Sequence, residues 1–177
     1  EVVAMAKERE VPIRIGVNFG SVAPMPESYV DEMAAQNASQ VELRAEWLVR
    51  SALGHIKILE DLDFGLTKVS LKAFELPVLF EAYRRFAALP NDYPLHLGVT
   101  EAGTPRAGSV RSATGIGTLL ALGIGDTIRV SLTTDPVEEV FVGFEILKSL
   151  ELRQKGATMI ACPTCGRVEV DLFTLAN

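Results

Sequence analysis

The stretch DTIRVSLTTDPVEEVFVGFEILKSLELRQKG, residues 126–156, contains a strand pattern followed directly by a helix pattern. In DTIRVSLT, polar and apolar residues alternate, as in a strand with two unlike faces. Asp135 is suited to cap the helix, Pro136 fits its first turn, and Gly156 is suited to close it. A strand and a helix joined by a short connection are typical of proteins with a parallel sheet.

The same strand–helix unit occurs three more times, upstream of this stretch. The predicted strands span 13–19, 67–73 and 94–101, and the predicted helices span 41–62, 77–89 and 108–123. Four such units are half of a closed (β/α)8 barrel, which takes about 250 residues. An open, doubly wound sheet is the alternative.

The two faces of the predicted strands favour the barrel. A parallel strand that is covered by helices on both faces is nearly all apolar, whereas each strand here has one polar face. The polar faces contain Arg14, Gly16 and Asn18; Lys68, Ser70 and Lys72; His96, Gly98 and Thr100; and Thr127, Arg129 and Ser131. A polar inner face around a barrel axis produces this pattern. We therefore predict an α/β fold in which four parallel β/α units form half of a TIM (β/α)8 barrel.

Several residues on these polar faces are cations. Arg14, Lys72 and Arg129 are suited to bind phosphate oxygens, and Asn18 and Ser131 add neutral donors. Cations that are buried need a counter-charge, which a bound anionic ligand would supply. The alternative is that some of them pair with Asp or Glu inside an ordinary barrel.

Glu101 follows the third predicted strand, in the sequence GVTEAG. Barrel active sites lie at the C-terminal ends of the strands, and Glu101 is at such an end. A carboxylate beside an anion pocket is a candidate general acid. A salt bridge to one of the arginines is the alternative interpretation.

The glycine-rich run GIGTLLALGIG, residues 115–125, resembles a phosphate loop only superficially. Gly115 and Gly117 lie inside a helix pattern, and Leu120 occupies the third glycine position of the dinucleotide-binding motif. Close packing of a helix on a strand is the better explanation. We assign neither His55 nor His96 to a metal site.

Cys162 and Cys165, in ACPTCGR, are the two cysteines of the 177-residue chain. This spacing occurs in thioredoxin-type redox pairs, in zinc knuckles and in iron–sulfur sites, and the last two need further ligands. A disulfide is a fourth interpretation, and the pair alone does not decide among them. Because the segment around it departs from the repeated unit, we place a domain boundary near residues 154–156.

The composition excludes several classes of protein. The chain is 48% hydrophobic, which supports one buried core, and its formal net charge of -6 argues against nucleic-acid binding. No apolar stretch approaches the roughly 18 residues that a membrane helix needs. The chain opens at Glu1 inside a helix pattern and stops abruptly after DLFTLAN, so we expect it to be a piece of a longer protein.

Five stretches occur in an order that resembles one known family. They are PIRIGVNFGS, KVSLKA, PLHLGVTEAG, GIGDTIRVSLTTDP and ACPTCGR. Together they resemble the 4-hydroxy-3-methylbut-2-enyl diphosphate synthases of the methylerythritol phosphate pathway to isoprenoids. One departure is Phe74-Glu75, which follows SLKA where the family commonly has a small polar residue. The resemblance implies that residues 1–155 are barrel strands five to eight and that 156–177 begin an iron–sulfur domain.

The resemblance implies an oxidoreductase that reductively opens and dehydroxylates 2-C-methyl-D-erythritol 2,4-cyclodiphosphate. Its phosphate-binding residues are matched by Arg14, Asn18, Lys72, Arg129 and Ser131. Glu101 matches the carboxylate that faces the reacting carbon and hydroxyl. Cys162 and Cys165 match two ligands of a [4Fe-4S] cluster, and the remaining cysteine and glutamate ligands would lie beyond Asn177.

The resemblance also implies ferredoxin or flavodoxin as the electron donor, and a homodimer in which the cluster domain of one subunit caps the barrel of the other. We expect a bacterial cytoplasmic protein, with a plastid location left open, and neither a nucleic-acid nor a membrane partner.

The 177-residue chain alone should be inactive and should self-associate through its open sheet edges. The alternative function is a phosphate-binding half-barrel module with a structural, zinc-type Cys-x-x-Cys knuckle.

Overall fold

The computed structural model describes residues 1–154, 156–157, 160, 166–171 and 174–175. Half of the residues of the predicted second domain, 156–177, lie outside these residues. The helices and strands are α1 (Val2–Glu8), β1 (Ile13–Asn18), α2 (Glu27–Ala35), α3 (Gln40–Asp61), β2 (Thr67–Lys72), α4 (Leu76–Ala87), β3 (His96–Gly98), α5 (Pro105–Ala121), β4 (Thr127–Arg129) and α6 (Pro136–Ser149). The four predicted strand–helix units are therefore present.

The four strands are parallel and lie side by side in chain order. β1 pairs with β2 along its whole length, and β3 pairs with β4. A single bridge between Val69 and Leu95 joins the two pairs. Within the part of the chain that the structure describes, β1 and β4 each pair on one side only. This arrangement confirms the prediction of parallel β/α units.

The strands bury their apolar faces against the helices. α3, α4, α5 and α6 contact β1, β2, β3 and β4 respectively, so each helix packs on the strand that precedes it. One core cluster contains the strand residues Ile15, Val17, Val69, Leu71 and Leu97, and Val130 just after β4, together with buried apolar residues of these helices. The predicted polar side chains lie on the opposite face, as the period-two pattern requires.

The predicted helix starts of α4 and α6 agree with the structure, whereas α5 begins at Pro105, three residues before its predicted start. Pro77 lies in the first turn of α4, and the Asp135 carboxylate accepts a hydrogen bond of 2.9 Å from the Val137 amide at the start of α6. The predicted end of α5 also agrees. Gly123 lies just beyond the helix with a φ of 75°, a left-handed conformation that glycine adopts without strain.

The predicted end of α6 at Gly156 is wrong, because the helix ends at Ser149. Glu151 adopts a φ of 57°, and its amide donates to the Lys148 carbonyl at 3.0 Å. The next amide, of Leu152, donates to the Leu147 carbonyl at 3.0 Å. These two bonds form a Schellman cap, here with glutamate where glycine is usual. The helix therefore stops without the glycine that the prediction relied on.

Helix α2 was not predicted from the sequence. It packs on α3, where the Tyr29 hydroxyl donates to the Leu43 carbonyl at 3.0 Å and the Trp47 indole donates to the Ala23 carbonyl at 2.8 Å. Two of its residues, Tyr29 and Met33, are buried, which is too few for a clear periodic pattern. None of the described helices is long and apolar enough to span a bilayer.

Helix α5 approaches β3 closely at Gly115. A Cβ atom there would lie 2.5 Å from Val99 Cγ2 and 3.0 Å from Leu76 Cδ2. This contact confirms close helix–strand packing as the reason for that glycine. Gly117 has no such neighbour within 4 Å, so the same prediction is wrong for Gly117.

Candidate anion-binding site

The polar face of the sheet brings together the predicted phosphate-binding residues. The strand register places Asn18 opposite Lys72, and Gly98 opposite Arg129. Ser131 follows β4, and the Arg129 guanidinium donates to its hydroxyl at 3.3 Å. The pairs from β1–β2 and from β3–β4 therefore contribute to one surface.

A small cavity forms the floor of this surface. It is lined by Arg14, Ser70, Lys72, His96, Gly98, Val99, Thr100 and Arg129. Its volume of about 10 Å³ is close to the space that one water molecule occupies. A ligand the size of a phosphate would therefore lie above this floor, against the polar side chains of the strands.

The cations of this face have no acidic partners in the described part of the chain. None of the ion pairs there involves Arg14, Lys72 or Arg129. Burial lowers the pKa of Lys72, and the nearby Arg14 and Arg129 lower it further. The predicted alternative, pairing with Asp or Glu inside the barrel, is therefore not observed among these residues. A bound anion would relieve the mutual repulsion of the three cations.

Two glycines of the polar face lie where a Cβ atom would crowd the neighbouring strand, Gly16 against the Lys72 side chain and Gly98 against the Arg129 backbone. A Cβ atom on Gly16 would lie 3.2 Å from Lys72 Nζ, and one on Gly98 would lie 3.1 Å from the Arg129 carbonyl oxygen. Both glycines were predicted to lie on the polar face, but no role was predicted for them. The signal was present, since glycine weakens a strand unless a close approach requires it.

His96 is a further residue of this face that the sequence analysis left without a role. It is buried, and its Nδ1 lies 2.8 Å from the Thr127 hydroxyl. Its Nε2 is buried and has no hydrogen-bond partner among the described residues. Burial lowers the pKa of His96 to about 4, with contributions from nearby cations that include Arg14 and Lys68. The imidazole is therefore neutral at pH 7.

Glu101 is exposed in the turn after β3, with a φ of 57°. Four other described non-glycine residues have a positive φ, and each stands two positions beyond the end of a helix, where this conformation is common: Glu10, Asn37, Asp63 and Glu151. Glu101 is the exception, because it follows a strand. It forms no ion pair within the described residues, so the predicted alternative of a salt bridge to arginine is not observed there.

Comparison with known proteins identifies the family. The GcpE TIM-barrel domain matches residues 1–144 of the chain. This chain belongs to the GcpE family.

Three curated relatives of the chain carry the same name. The chain is 57% identical over 176 residues to the 4-hydroxy-3-methylbut-2-en-1-yl diphosphate synthase (flavodoxin) of Dehalococcoides mccartyi, covering 99% of the chain and 47% of that protein. It is 54% identical to the synthase of the same name from Geobacter sulfurreducens, covering 100% of the chain and 47% of that protein. For Bacillus mycoides the identity is 53%, covering 99% of the chain and 45% of the synthase. The GcpE chain thus spans about half the length of the curated relatives it matches.

Phe74 and Glu75, the departure noted in the sequence, lie outside the polar face of the GcpE chain. Arg44 Nη1 donates to both carboxylate oxygens of Glu75, at 2.8 and 2.7 Å. The Arg111 guanidinium lies 4.0 Å from the centre of the Phe74 ring and donates to the Phe74 carbonyl at 3.0 Å. These residues line a cavity of about 770 Å³ beside α3, α4 and α5. Neither contact involves Lys72.

The predicted cluster ligands of the GcpE chain, Cys162 and Cys165, lie outside the described residues. Their assignment stays a prediction. In the part that is described, no group of three or more His, Cys, Asp or Glu side chains is placed to hold a metal ion.

Proposed function

We propose that the full-length protein containing this chain reductively opens and dehydroxylates 2-C-methyl-D-erythritol 2,4-cyclodiphosphate to 4-hydroxy-3-methylbut-2-enyl diphosphate. The main support is the group of cations on the polar face of the sheet, which have no acidic partners among the described residues. This group occurs in a chain that is 53% to 57% identical to enzymes named as synthases of that product. A diphosphate is the anion that such a face would bind.

The two strand pairs would hold the diphosphate between them. Arg14, Asn18 and Lys72 would donate to it from β1 and β2, and Arg129 and Ser131 from β4 and the residues after it. A guanidinium can donate two parallel hydrogen bonds to a phosphate, whereas the Lys72 ammonium acts as a point charge. Besides burial, repulsion from Arg14 and Arg129 lowers the pKa of Lys72, and a bound diphosphate would offset that repulsion.

Glu101 would orient the departing hydroxyl or deliver the proton with which it leaves as water. Its position after β3 is at the C-terminal end of the strands, where barrel enzymes place reacting groups. Its left-handed backbone conformation is strained for a glutamate, and such strain is concentrated at functional sites. The strained backbone at Glu101 would thus be retained because it places the carboxylate at the reacting group.

The reaction takes up two electrons, which a [4Fe-4S] cluster would supply when bound. Cys162 and Cys165 would provide two of its thiolate ligands, and the Cys-x-x-Cys spacing fits this chemistry. By resemblance, a third cysteine and a glutamate outside this chain complete the set. The strand residues contribute by binding and orienting the substrate.

Within the longer protein, residues 1–155 would form strands five to eight of the TIM barrel, and residues 156–177 would begin the cluster domain. The polar face of the four parallel strands supports this division.

We propose a homodimer in which the cluster domain of one subunit caps the barrel of the other. The relatives' name specifies flavodoxin, which makes it the first electron donor to test, before ferredoxin. The bacterial origin of these relatives supports a cytoplasmic location.

The test uses the full-length protein, purified without oxygen. We expect about four irons and four sulfides per chain, lost in Cys162→Ala. With reduced flavodoxin, the wild type should convert the cyclic diphosphate, and Arg129→Met should lower kcat/KM by about 100-fold, as expected for a lost charged contact to phosphate. Lys57→Met, which removes a cation from the exposed surface of α3, is the matched control and should leave turnover unchanged.

Two results would overturn the proposal. Zinc without iron would support the alternative, a phosphate-binding module with a structural cysteine knuckle, which the names of the relatives do not favour. A protein with its iron–sulfur cluster intact but without turnover of the cyclic diphosphate would show that the substrate is wrong.

A further inference from the structure

The hydrogen-bond ladder between β2 and β3 is interrupted by a side chain. The Val69 amide donates to the Pro94 carbonyl at 2.9 Å, as in a regular parallel pair. If the ladder continued, the Leu71 amide would donate next to the His96 carbonyl. Instead the Leu71 amide donates to the Tyr83 hydroxyl at 3.1 Å, and that hydroxyl donates to the His96 carbonyl at 2.6 Å. Two hydrogen bonds in series replace one.

Tyr83 is firmly held in this position. It lies on α4, is fully buried, and belongs to the core cluster on the helix side of the sheet. Burial raises the pKa of Tyr83 to about 12, so the phenol keeps its proton and can donate to the His96 carbonyl. The side chain therefore reaches from the helix layer into the sheet and separates two strands there.

This separation divides the candidate anion site. Arg14, Asn18 and Lys72 belong to the pair β1–β2, whereas Arg129 belongs to the pair β3–β4, with Ser131 just beyond it. Between these pairs, the backbone of β2 is joined to that of β3 by the bridge at Val69 and by the Tyr83 hydroxyl. The width of the gap that Tyr83 fills therefore affects the spacing of Lys72 and Arg129.

We propose that Tyr83 is a positioning residue that sets the distance between the two halves of the anion site, so that a diphosphate can span them. This inference rests on the proposed function, because it takes a diphosphate held by both halves as the ligand. Tyr83 would not touch the ligand. It would act by keeping β2 and β3 further apart than a direct hydrogen bond between Leu71 and His96 allows.

The test is Tyr83→Phe in the full-length protein, with Tyr29→Phe as the matched control. Tyr29 is also a buried tyrosine whose hydroxyl donates to a backbone carbonyl, that of Leu43, but it lies in the second cluster between α2 and α3. Binding of pyrophosphate and of orthophosphate is measured by calorimetry. Tyr83→Phe should weaken pyrophosphate binding about tenfold, because misplacement by a fraction of an ångström weakens two-point binding.

Orthophosphate is the discriminating ligand, because either half of the site alone can hold it. Its affinity should change less than about twofold in Tyr83→Phe, and Tyr29→Phe should leave both affinities unchanged.

A crystal structure of Tyr83→Phe should show the Leu71 amide bonded directly to the His96 carbonyl. In the wild type, pyrophosphate should slow hydrogen exchange of the Leu71 amide, whereas orthophosphate should not; this measurement does not depend on the folding of a variant.

Equal pyrophosphate affinity in the wild type and Tyr83→Phe would overturn this inference while leaving the proposed function standing. So would equal losses for the two anions, since that pattern indicates a general loss of packing. A wild-type protein that binds neither anion would overturn the proposed function, and this inference with it.

Discussion

At the scale of single residues, Glu101 has a left-handed backbone conformation that is unusual after a strand. Its φ of 57° follows a strand, where no helix end calls for a left-handed residue. Glu101→Gly should therefore raise the free energy of unfolding, by up to about 1 kcal/mol, because glycine adopts this conformation without strain. The same substitution should lower turnover of the cyclic diphosphate at least about 100-fold, as expected for loss of an acid–base group.

Two further variants separate the carboxylate from the backbone. Glu101→Gln should lose turnover to the same extent without gaining stability. Glu10→Gly changes a residue of similar φ beyond the end of α1, and should gain stability with turnover unchanged. Chemical denaturation and steady-state kinetics on the full-length protein measure both effects. Full turnover in Glu101→Gly would show that the carboxylate has no role in the reaction.

His96 predicts a defined dependence of stability on pH. Its pKa is about 4 in the folded chain, compared with 6.5 for an unperturbed histidine, because burial and the cations around it disfavour the imidazolium. Between these values the unfolded chain binds more protons than the folded one, so stability rises with pH. The contribution of His96 is therefore complete above about pH 6.5 and is lost as the pH falls towards 4.

The measurement is the urea midpoint of unfolding between pH 4 and 7. His96→Gln should flatten the part of the curve that belongs to this residue. His55→Gln, which changes an exposed histidine on α3, should keep the wild-type slope. Parallel curves for His96→Gln and the wild type would show that His96 binds its proton equally well in the folded and unfolded chains, and the assigned environment would be wrong.

At the scale of the elements, two glycines of α5 offer a matched pair. Gly115→Ala should destabilise the fold by about 1 to 3 kcal/mol, because its Cβ would lie 2.5 Å from Val99 Cγ2. Gly117→Ala, one half-turn further along, meets nothing within 4 Å and should stabilise the helix by up to about 1 kcal/mol. Opposite signs in thermal denaturation would confirm the close approach of α5 to β3. Equal effects of the two substitutions on stability would show that β3 moves aside to accommodate the added methyl group.

The strands and the polar face were predictable because both depend on a local, period-two pattern. Lys72 and Arg129 fall on the polar face in any arrangement that buries Leu71 and Val130. The starts of α4 and α6 were likewise predictable, from Pro77 and Asp135 respectively. These features need no knowledge of distant contacts, which is why the sequence was sufficient for them.

The features that were missed depend on tertiary contacts. The end of α6 uses glutamate in a position where glycine is the usual signal, so Gly156 was misleading. Tyr83 lies in an amphipathic helix and has the pattern of an ordinary core residue, and nothing in the sequence indicates that its hydroxyl enters the sheet. The empty space beside Gly117 is likewise set by the neighbouring helix. Each of these requires the packed structure.

At the scale of the whole molecule, positive charge is concentrated on one face of an acidic chain. The formal net charge is -6, yet Arg14, Lys68, Lys72 and Arg129 are close enough to act together on His96. For binding a small anion, charges that are clustered near it matter more than the net charge of the chain. Salt screens the interaction with nearby charges least and that with distant charges most. The acidic composition therefore argues against nucleic acid without arguing against a small diphosphate.

The 177-residue chain on its own should self-associate, because both outer strands have apolar surroundings. A cavity beside β1 is lined by residues that include Ile13, Ile15 and Ile58, and one beside β4 by residues that include Ile128 and Val140. Strands that are parallel and in chain order let β4 of one copy lie beside β1 of another in the same direction. Unpaired strand edges favour such pairing.

Sedimentation at tens of micromolar (about the usual assay range) should therefore show dimers or larger species, as open strand edges favour. Ile58→Lys combined with Val140→Lys should shift the chain towards monomer, because each places a charge beside one edge. Leu122→Lys is the control: Leu122 is 58% exposed, compared with 56% for Ile58 and 57% for Val140, but it lies at the end of α5. A monomeric wild-type chain would show that these edges do not drive association. Equal effects of the edge and control substitutions would point to general surface hydrophobicity instead.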